Sequence, residues 1–217
     1  DAITLLMAFF VMLLSFTKYD IPAFEELTSA LASKVGNRDQ QTTTQSLKID
    51  AQDIVYNMQA DQVVSVGGDS RGVTIELQSN AFYKPGSAEM VPAAIPVLQK
   101  LAETLAAPRY ELYNVEVEGH TDDDPIRSKM FPSNWELSAS RAATVVRLFG
   151  VNNIIWSRMK AAGFADTRPK VPNRDLEGKP IPENQATNRR VVLRLYQMSL
   201  EERDAYLRAQ EFREQQN

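Results

Sequence analysis

The densest group of residues able to do chemistry is GHTDDDPIRSKMFPSNWELSASRA, residues 119–142. It carries three successive carboxylates, Asp122, Asp123 and Asp124, followed by the guanidinium of Arg141. A carboxylate and a guanidinium on separate elements suit a zwitterionic ligand, the first taking an ammonium and the second a carboxylate in bidentate fashion. The same residue types also describe a solvated acidic turn and a helix arginine in a local ion pair, and spacing alone leaves both readings open. A calcium loop fits poorly, because DDDP lacks the alternating D-x-[DN]-x-[DN]-G pattern. Paired carboxylates for glycoside hydrolysis are available by type, but nothing in the sequence marks one as buried with a raised pKa. No G-x-S-x-G, P-loop or H-E-x-x-H occurs. The reading is therefore of a binding protein and not an enzyme. His120 is the only histidine, which excludes a multi-histidine metal cluster, and is expected to be structural at a strand end.

Composition narrows the field further. The chain has 217 residues, 24 basic and 28 acidic, a net charge of -4, and no cysteine. Disulfides, thiolate metal sites and thiol redox chemistry are thereby excluded. No phosphate-neutralising patch is evident, so nucleic acid is not an expected partner.

The elements that must hold the acidic cluster are legible in part. Val63–Val66 and Val73–Leu77 are β-rich runs joined by GGDSRG, which predicts a hairpin. Pro92 opens a helix with Ile95, Leu98, Ala102 and Leu105 on one face, and Asn114–Glu118 alternates as a half-buried strand does. Ser133 and Glu136 have capping-box spacing, and the helix they start places Ala142, Val145, Val146 and Phe149 at helical intervals. A short strand or turn is expected near Met159–Ala162, and Arg190–Tyr196 alternates again. Ser199 and Glu202 form a second capping box that opens a charged helix running to about Gln215. Strands interleaved with helices predict an α/β sandwich, one mixed sheet with helices packed on it.

The N-terminal part differs. Residues 2–16, AITLLMAFFVMLLSF, are broken only by Thr4 and Ser15. A membrane-spanning helix needs roughly 20 apolar residues. The run is expected to be the end of a single transmembrane helix whose remainder lies upstream of Asp1, with a signal peptide and a buried core helix as the rival readings. In residues 20–36, Phe24, Leu27, Leu31 and Val35 form one apolar stripe, with Asp20 and Pro22 at its start and Gly36 at its end. This short amphipathic helix either packs on its own domain or lies on a membrane or partner. Residues 37–60 read as a linker, few large apolar groups falling between 37 and 50, with a brief helical stretch near Ile54–Met58. The expected organisation is a transmembrane helix over 1–18, an amphipathic helix over 20–36, a linker over 37–60, a folded domain over 61–197 and a charged helix over 198–217.

Four separated pieces carry a resemblance. They are Gly119 to Asp122, then Asn134, Leu137, Ser138, Arg141 and Ala142, then Ala161 to Phe164, then Asn188 to Val191. In this order they resemble the peptidoglycan-binding signature of OmpA-like domains. Residues 123–133 resemble the version in flagellar motor stator B subunits, the MotB/PomB family, and Asp1 with the apolar run after it resembles that family's transmembrane helix. The resemblance implies that the domain binds the diaminopimelate of peptidoglycan stems. Asp122 would take its ammonium and Arg141 its carboxylate, with Thr121, Asn134 and Phe82 in support. It implies that Asp1 carries the coupling ion, a proton or sodium, with no other cofactor. Residues 20–36, with Ile21, Phe24, Leu27, Leu31 and Val35, would form a plug. The implied partners are a stator A-subunit ring of MotA/PomA type, a second B subunit, the membrane and the cell wall. The implied location is the bacterial inner membrane, single-pass, with the C-terminal domain in the periplasm. A wall anchor without motor function, or a stator-like unit repurposed outside motility such as in phage defence, are the alternatives. Asn188 and Arg189 are expected to be strand-entry and packing residues.

Overall fold

The computed structural model describes residues 4, 5, 7, 8, 42–126 and 128–214. Asp1 and the amphipathic segment with Ile21, Phe24, Leu27, Leu31 and Val35 lie outside the described residues. Among the described residues, no helix is long and apolar enough to cross a membrane. The chain divides into two compact units, Asp1–Thr42 and Thr43–Asn217. The β-sheet belongs to the second.

The first element of that second unit corrects an expectation. Most of the supposed linker is a 15-residue helix, α1 (Thr43–Asn57). Leu47, Ala51, Ile54 and Val55 recur at i, i+4, i+7 and i+8 and are buried in the common core. Most of its apolar residues lie in that narrow stripe, with Ile49 and Tyr56 exposed outside it, so the segment looks hydrophilic until its period is counted. Polar side chains fix it as well: Thr44 and Tyr113 share a 2.7 Å hydroxyl hydrogen bond, and Asp50 accepts from the Tyr110 hydroxyl at 2.6 Å.

The hairpin follows, β1 (Val64–Asp69) and β2 (Gly72–Gln78). Its turn is tighter than the two glycines suggested, because Gly67 and Gly68 stay in register with Thr74 and Val73. A one-turn helix α2 (Ser79–Phe82), a 3-10 turn at Pro92–Ala94 and α3 (Ile95–Leu105) lead to β3 (Tyr113–His120). Then come α4 (Asn134–Val151), β4 (Met159–Gly163), α5 (Pro182–Asn188), β5 (Arg190–Gln197) and α6 (Leu200–Glu214). The capping box at the start of α4 is formed, Ser133 and Glu136 satisfying each other's backbone donors.

The five strands make one mixed sheet in the order β1-β2-β5-β3-β4. All neighbours are antiparallel except β3 and β4, which are parallel and joined through α4. Strand alternation sends Val115 and Val117 of β3, and Val191, Leu193 and Leu195 of β5, into one core with α1, α3 and α4. The opposite face is polar: Glu118 and Asp69 both pair with Arg194, each at 2.8 Å, and Lys160 with Glu116 at 3.1 Å.

Two glycines set how closely α4 approaches the sheet. A Cβ on Gly119 would stand 2.0 Å from the Ser138 carbonyl oxygen, and one on Gly163 would stand 2.6 Å from the Ala139 nitrogen. Only a hydrogen fits at either place, so the helix lies almost on the ends of β3 and β4. Ser138 completes the join, its hydroxyl accepting from the Ala165 amide at 3.1 Å.

Candidate functional site

The close approach of α4 to β3 brings the sequence-predicted residues to one corner of the domain. Thr121 leaves the end of β3 with its amide on the Ala165 carbonyl at 2.8 Å, and its hydroxyl donates to the Asp122 carbonyl at 2.8 Å. The Asn134 amide, at the first residue of α4, donates to the Asp124 carbonyl at 2.9 Å and the Asp122 carbonyl at 3.3 Å, while its oxygen accepts from the Ile126 amide. Thr121 and Asn134 thus shape the backbone of the acidic turn, leaving the Asp122 carboxylate to act elsewhere.

That carboxylate is 8 % exposed and pairs with Arg189. Arg189 does more than pack where the chain enters β5; it is a member of the charged cluster. Its backbone is also fixed, the carbonyl accepting from the Ser79 amide at 3.0 Å. A buried carboxylate needs a counter-charge, and no local signal in the sequence says that Arg189 supplies it.

Arg141 reaches the same corner from α4 and is 5 % exposed. Its Nε donates to the Ser87 carbonyl at 2.9 Å, and its guanidinium lies 5.2 Å over the Tyr83 ring. Tyr83 returns a hydrogen bond to the Arg141 carbonyl at 2.9 Å. Phe82, by contrast, is packed in the hydrophobic core; it is its neighbour Tyr83 that meets Arg141. Burial lowers the pKa of Arg141, with Tyr83 opposing, Arg189 reinforcing and Asp122 opposing that shift, so the three charged groups feel one another. Arginine keeps its charge even so. Two cations and one anion give the cluster an excess of positive charge suited to a ligand carboxylate, with Asp122 available to an ammonium.

The remaining acidic residues have other duties. Asp123 and Asp124 both hold Arg174 of the long β4–α5 loop, at 2.5 and 2.9 Å, and Gln185 adds a 3.0 Å bond to Asp123. Burial would raise the Asp123 pKa, but the hydrogen bonds from Gln185 and Arg174 outweigh it and the net shift is down. Asn188, fully buried, fastens the same loop through the Lys170 and Val171 amides and the Val171 carbonyl. His120 is buried beside Glu118 at 3.4 Å and stacks on Phe164 with ring centroids 5.4 Å apart. Among the described residues no group of three or more His, Asp or Glu is placed to hold a metal ion.

The chain is similar to known proteins in sequence and in fold. Residues 82–181 match the OmpA family, and residues 1–35 match the family described as membrane MotB of the proton-channel complex MotA/MotB. The uncharacterized protein YtxE of Bacillus subtilis (strain 168) is 30 % identical over 213 residues, which span 89 % of this chain and 84 % of that one. The chain belongs to the MotB-like proteins with an OmpA-type peptidoglycan-binding domain. Motility protein B of Bacillus subtilis is 25 % identical over 70 % of this chain, which spans 55 % of that relative's length. Among solved structures, a putative MotB-like protein from Desulfovibrio vulgaris superposes with a TM-score of 0.62 at 28 % identity, covering 71 % of this chain and 91 % of that one. The cell wall anchor of the T6SS from Pseudomonas aeruginosa reaches 0.58 at 28 % identity, covering 67 % and 96 %. In this MotB-like chain the matched OmpA segment contains Phe82, Asp122, Asn134 and Arg141 but ends before Arg189.

Proposed function

We propose that this MotB-like chain is the B subunit of an ion-driven stator, fixed to the cell wall by the corner formed by Asp122, Arg141 and Arg189. The single observation that supports the anchoring role is the ion pair of the nearly buried Asp122 with Arg189 beside the end of β3, with the buried Arg141 near enough for its charge to be felt. A diaminopimelate stem offers an ammonium and a carboxylate at one carbon, which matches Asp122 and the arginines in charge and in hydrogen-bonding type. Thr121 and Asn134 hold the turn, and Phe82 supports the segment that carries Tyr83. The finer reading follows the family resemblance. Asp1 carries a proton or sodium ion through a channel shared with an A-subunit ring of MotA/PomA type. Ile21, Phe24, Leu27, Leu31 and Val35 belong to a plug over residues 20–36 that closes the channel before assembly. Two B subunits sit in the inner membrane with their folded domains in the periplasm.

The test has two parts. The full chain carrying Asp122→Asn or Arg141→Lys should no longer be retained by purified peptidoglycan sacculi, while wild type is; retention of both variants would falsify the anchoring site. In cells whose B subunit is this chain, Asp1→Asn should abolish swimming without abolishing flagella, and deletion of residues 21–35 with the A subunit co-expressed should raise ion leak and slow growth. A second reading is supported by the likeness to the T6SS wall anchor: a stationary anchor with no ion to carry. Unimpaired swimming of Asp1→Asn cells, with wall binding intact, selects it.

A further inference from the structure

Arg189 and Arg190 are successive residues, and strand alternation turns their side chains to opposite faces. Arg189 meets Asp122, whereas Arg190 lines a separate cavity of about 150 Å³ together with Asp61, Gln62, Glu76, Gln78 and Lys170. The walls of this cavity are fixed. Gln78 lies opposite Arg190 in the β2–β5 register, and its backbone amide donates to the Val63 carbonyl at 3.0 Å. The Lys170 amide donates to the Asn188 side-chain oxygen at 2.8 Å, and its ammonium pairs with Glu76 at 2.7 Å. Arg190 is less well served. Its Nη1 and Nη2 donate to the carbonyls of Asn188 and Arg168, each at 3.2 Å, and its Nε has no partner. Two of the five N–H donors of the guanidinium are thus used. The carboxylates whose charge it feels, Glu76 and Glu118, are paired instead with Lys170 and Arg194. Asp61 is similarly unspent among the described residues, accepting a single long bond of 3.4 Å from the Gln62 amide.

We infer that this cavity binds a small free α-amino acid, its carboxylate on the Arg190 guanidinium and its ammonium towards Asp61. Size sets the first limit. A water molecule takes about 30 Å³ of the liquid, so the cavity has room for about five atoms of that size, which suits glycine or alanine. Sites for larger organic ligands begin at about 300 Å³. Charge sets the second limit. A guanidinium fork takes a carboxylate by parallel hydrogen bonds. Glu76 and Asp61 stand against a dianion such as phosphate and favour a ligand that also carries an ammonium. The carboxamides of Gln62 and Gln78 add uncharged donors and acceptors beside these charges. Burial lowers the pKa of Arg190, with Glu76 and Glu118 opposing and Arg194 reinforcing, so a bound carboxylate would supply the counter-charge that the fold leaves to carbonyls. The site does not rest on the wall-binding reading of the Asp122 corner.

The side-chain amide signals of Gln62 and Gln78 in the NMR spectrum of the nitrogen-labelled full chain report on the cavity directly. Glycine or alanine should move both signals saturably, and inorganic phosphate should not. Acetate, which lacks the ammonium, should bind about threefold more weakly than glycine, the worth of one exposed ion pair. Asp61→Asn, a surface change, should erase that preference by weakening glycine to the level of acetate. Arg190→Lys keeps the charge but loses the fork, and should weaken both ligands about tenfold. Absence of saturable movement, equal binding of glycine and acetate to the parent chain, or a preference for glycine that survives Asp61→Asn overturns the site. Loss of the movement in folded Asp122→Asn would place the amino acid at the other corner and overturns it as well. Where Arg190→Lys does not fold, the Asp61→Asn comparison decides alone.

Discussion

Asp122 and Arg189 form an ion pair between the turn after β3 and the residue that opens β5, with Arg141 close enough for its charge to be felt. If the proposed function holds, a ligand ammonium would share Asp122 with Arg189. Arg189→Gln removes the counter-charge from a carboxylate that is almost buried. The folded unit should lose about 1–2 kcal/mol, a value below that of a fully buried pair because Arg189 is part exposed. A diaminopimelate-containing tripeptide should then raise the melting temperature more in Arg189→Gln than in wild type. Thermal unfolding with and without peptide checks this, and equal shifts in both proteins would refute the sharing of Asp122.

Arg158 makes no contribution to the charged corner, yet it is buried and satisfied only by main-chain carbonyls: Tyr113 at 2.9 Å, Tyr110 at 2.6 Å and Leu105 at 3.3 Å. Burial lowers its pKa. Arg158→Met would leave three inward carbonyls without donors, a cost of about 2–3 kcal/mol. Arg158→Lys should recover only part, since one ammonium cannot span the fork. Urea midpoints at constant slope would show the order wild type, Lys, Met.

The glycine against α4 gives a steric prediction. Gly119→Ala places a methyl group against the Ser138 carbonyl, where no flexible side chain can yield. The helix must lift, at about 3 kcal/mol, and the Ser138–Ala165 contact goes with it. Peptide binding should fall together with stability, whereas Gly178→Ala, which meets nothing within 4 Å but sits at φ +80°, should leave peptide binding unchanged. Circular dichroism melts paired with peptide calorimetry separate the two.

Acid should weaken this domain in two windows. His120 has its pKa lowered mainly by burial, so the unfolded chain takes the proton first; stability present above the ordinary histidine value, about 6.5, declines as pH falls below it. Glu118 is raised by burial, but hydrogen bonds from His120 and Arg194 bring it down to about 2. Its contribution is complete above the unfolded glutamate value, about 4.3, and is lost as pH falls towards 2. His120→Gln should flatten the stability profile between pH 6.5 and 5, and Glu118→Gln should flatten the lower limb; profiles that stay parallel to wild type would contradict the assignment.

The importance of α1 can be tested by removing it. Leu47→Ala should cost about 3 kcal/mol. A chain begun at residue 61, the boundary that the sequence pattern suggests, should fail to give a cooperative transition.

What could be read in the sequence was what short-range chemistry specifies. The Ser133–Glu136 box and the alternation of Arg190–Tyr196 both depend on neighbours within a few positions, and each has its counterpart in the structure. Three features escaped because they depend on distant partners. The stripe in α1 has meaning only once β1, β2 and α3 are there to cover it. Helix α5, PENQATN, has no apolar stripe at all and owes its place to Asn188 and Gln185 bonding to loops far along the chain. Arg189 looks like one of two arginines before a strand, and nothing local says that it answers Asp122, 67 positions away.

The position of α1 has a mechanical consequence. It is the first element of the folded unit, and if the proposed function holds and the wall grips Asp122 and Arg141, tension from the preceding chain would enter at Thr43. The pull must therefore pass through the Thr44–Tyr113 hydrogen bond, the Asp50–Tyr110 hydrogen bond and the buried Leu47, Ala51, Ile54 and Val55 before it reaches the sheet. Under rising force the helix should peel first, lengthening the tether as a yielding spring does while the grip on the wall stays closed.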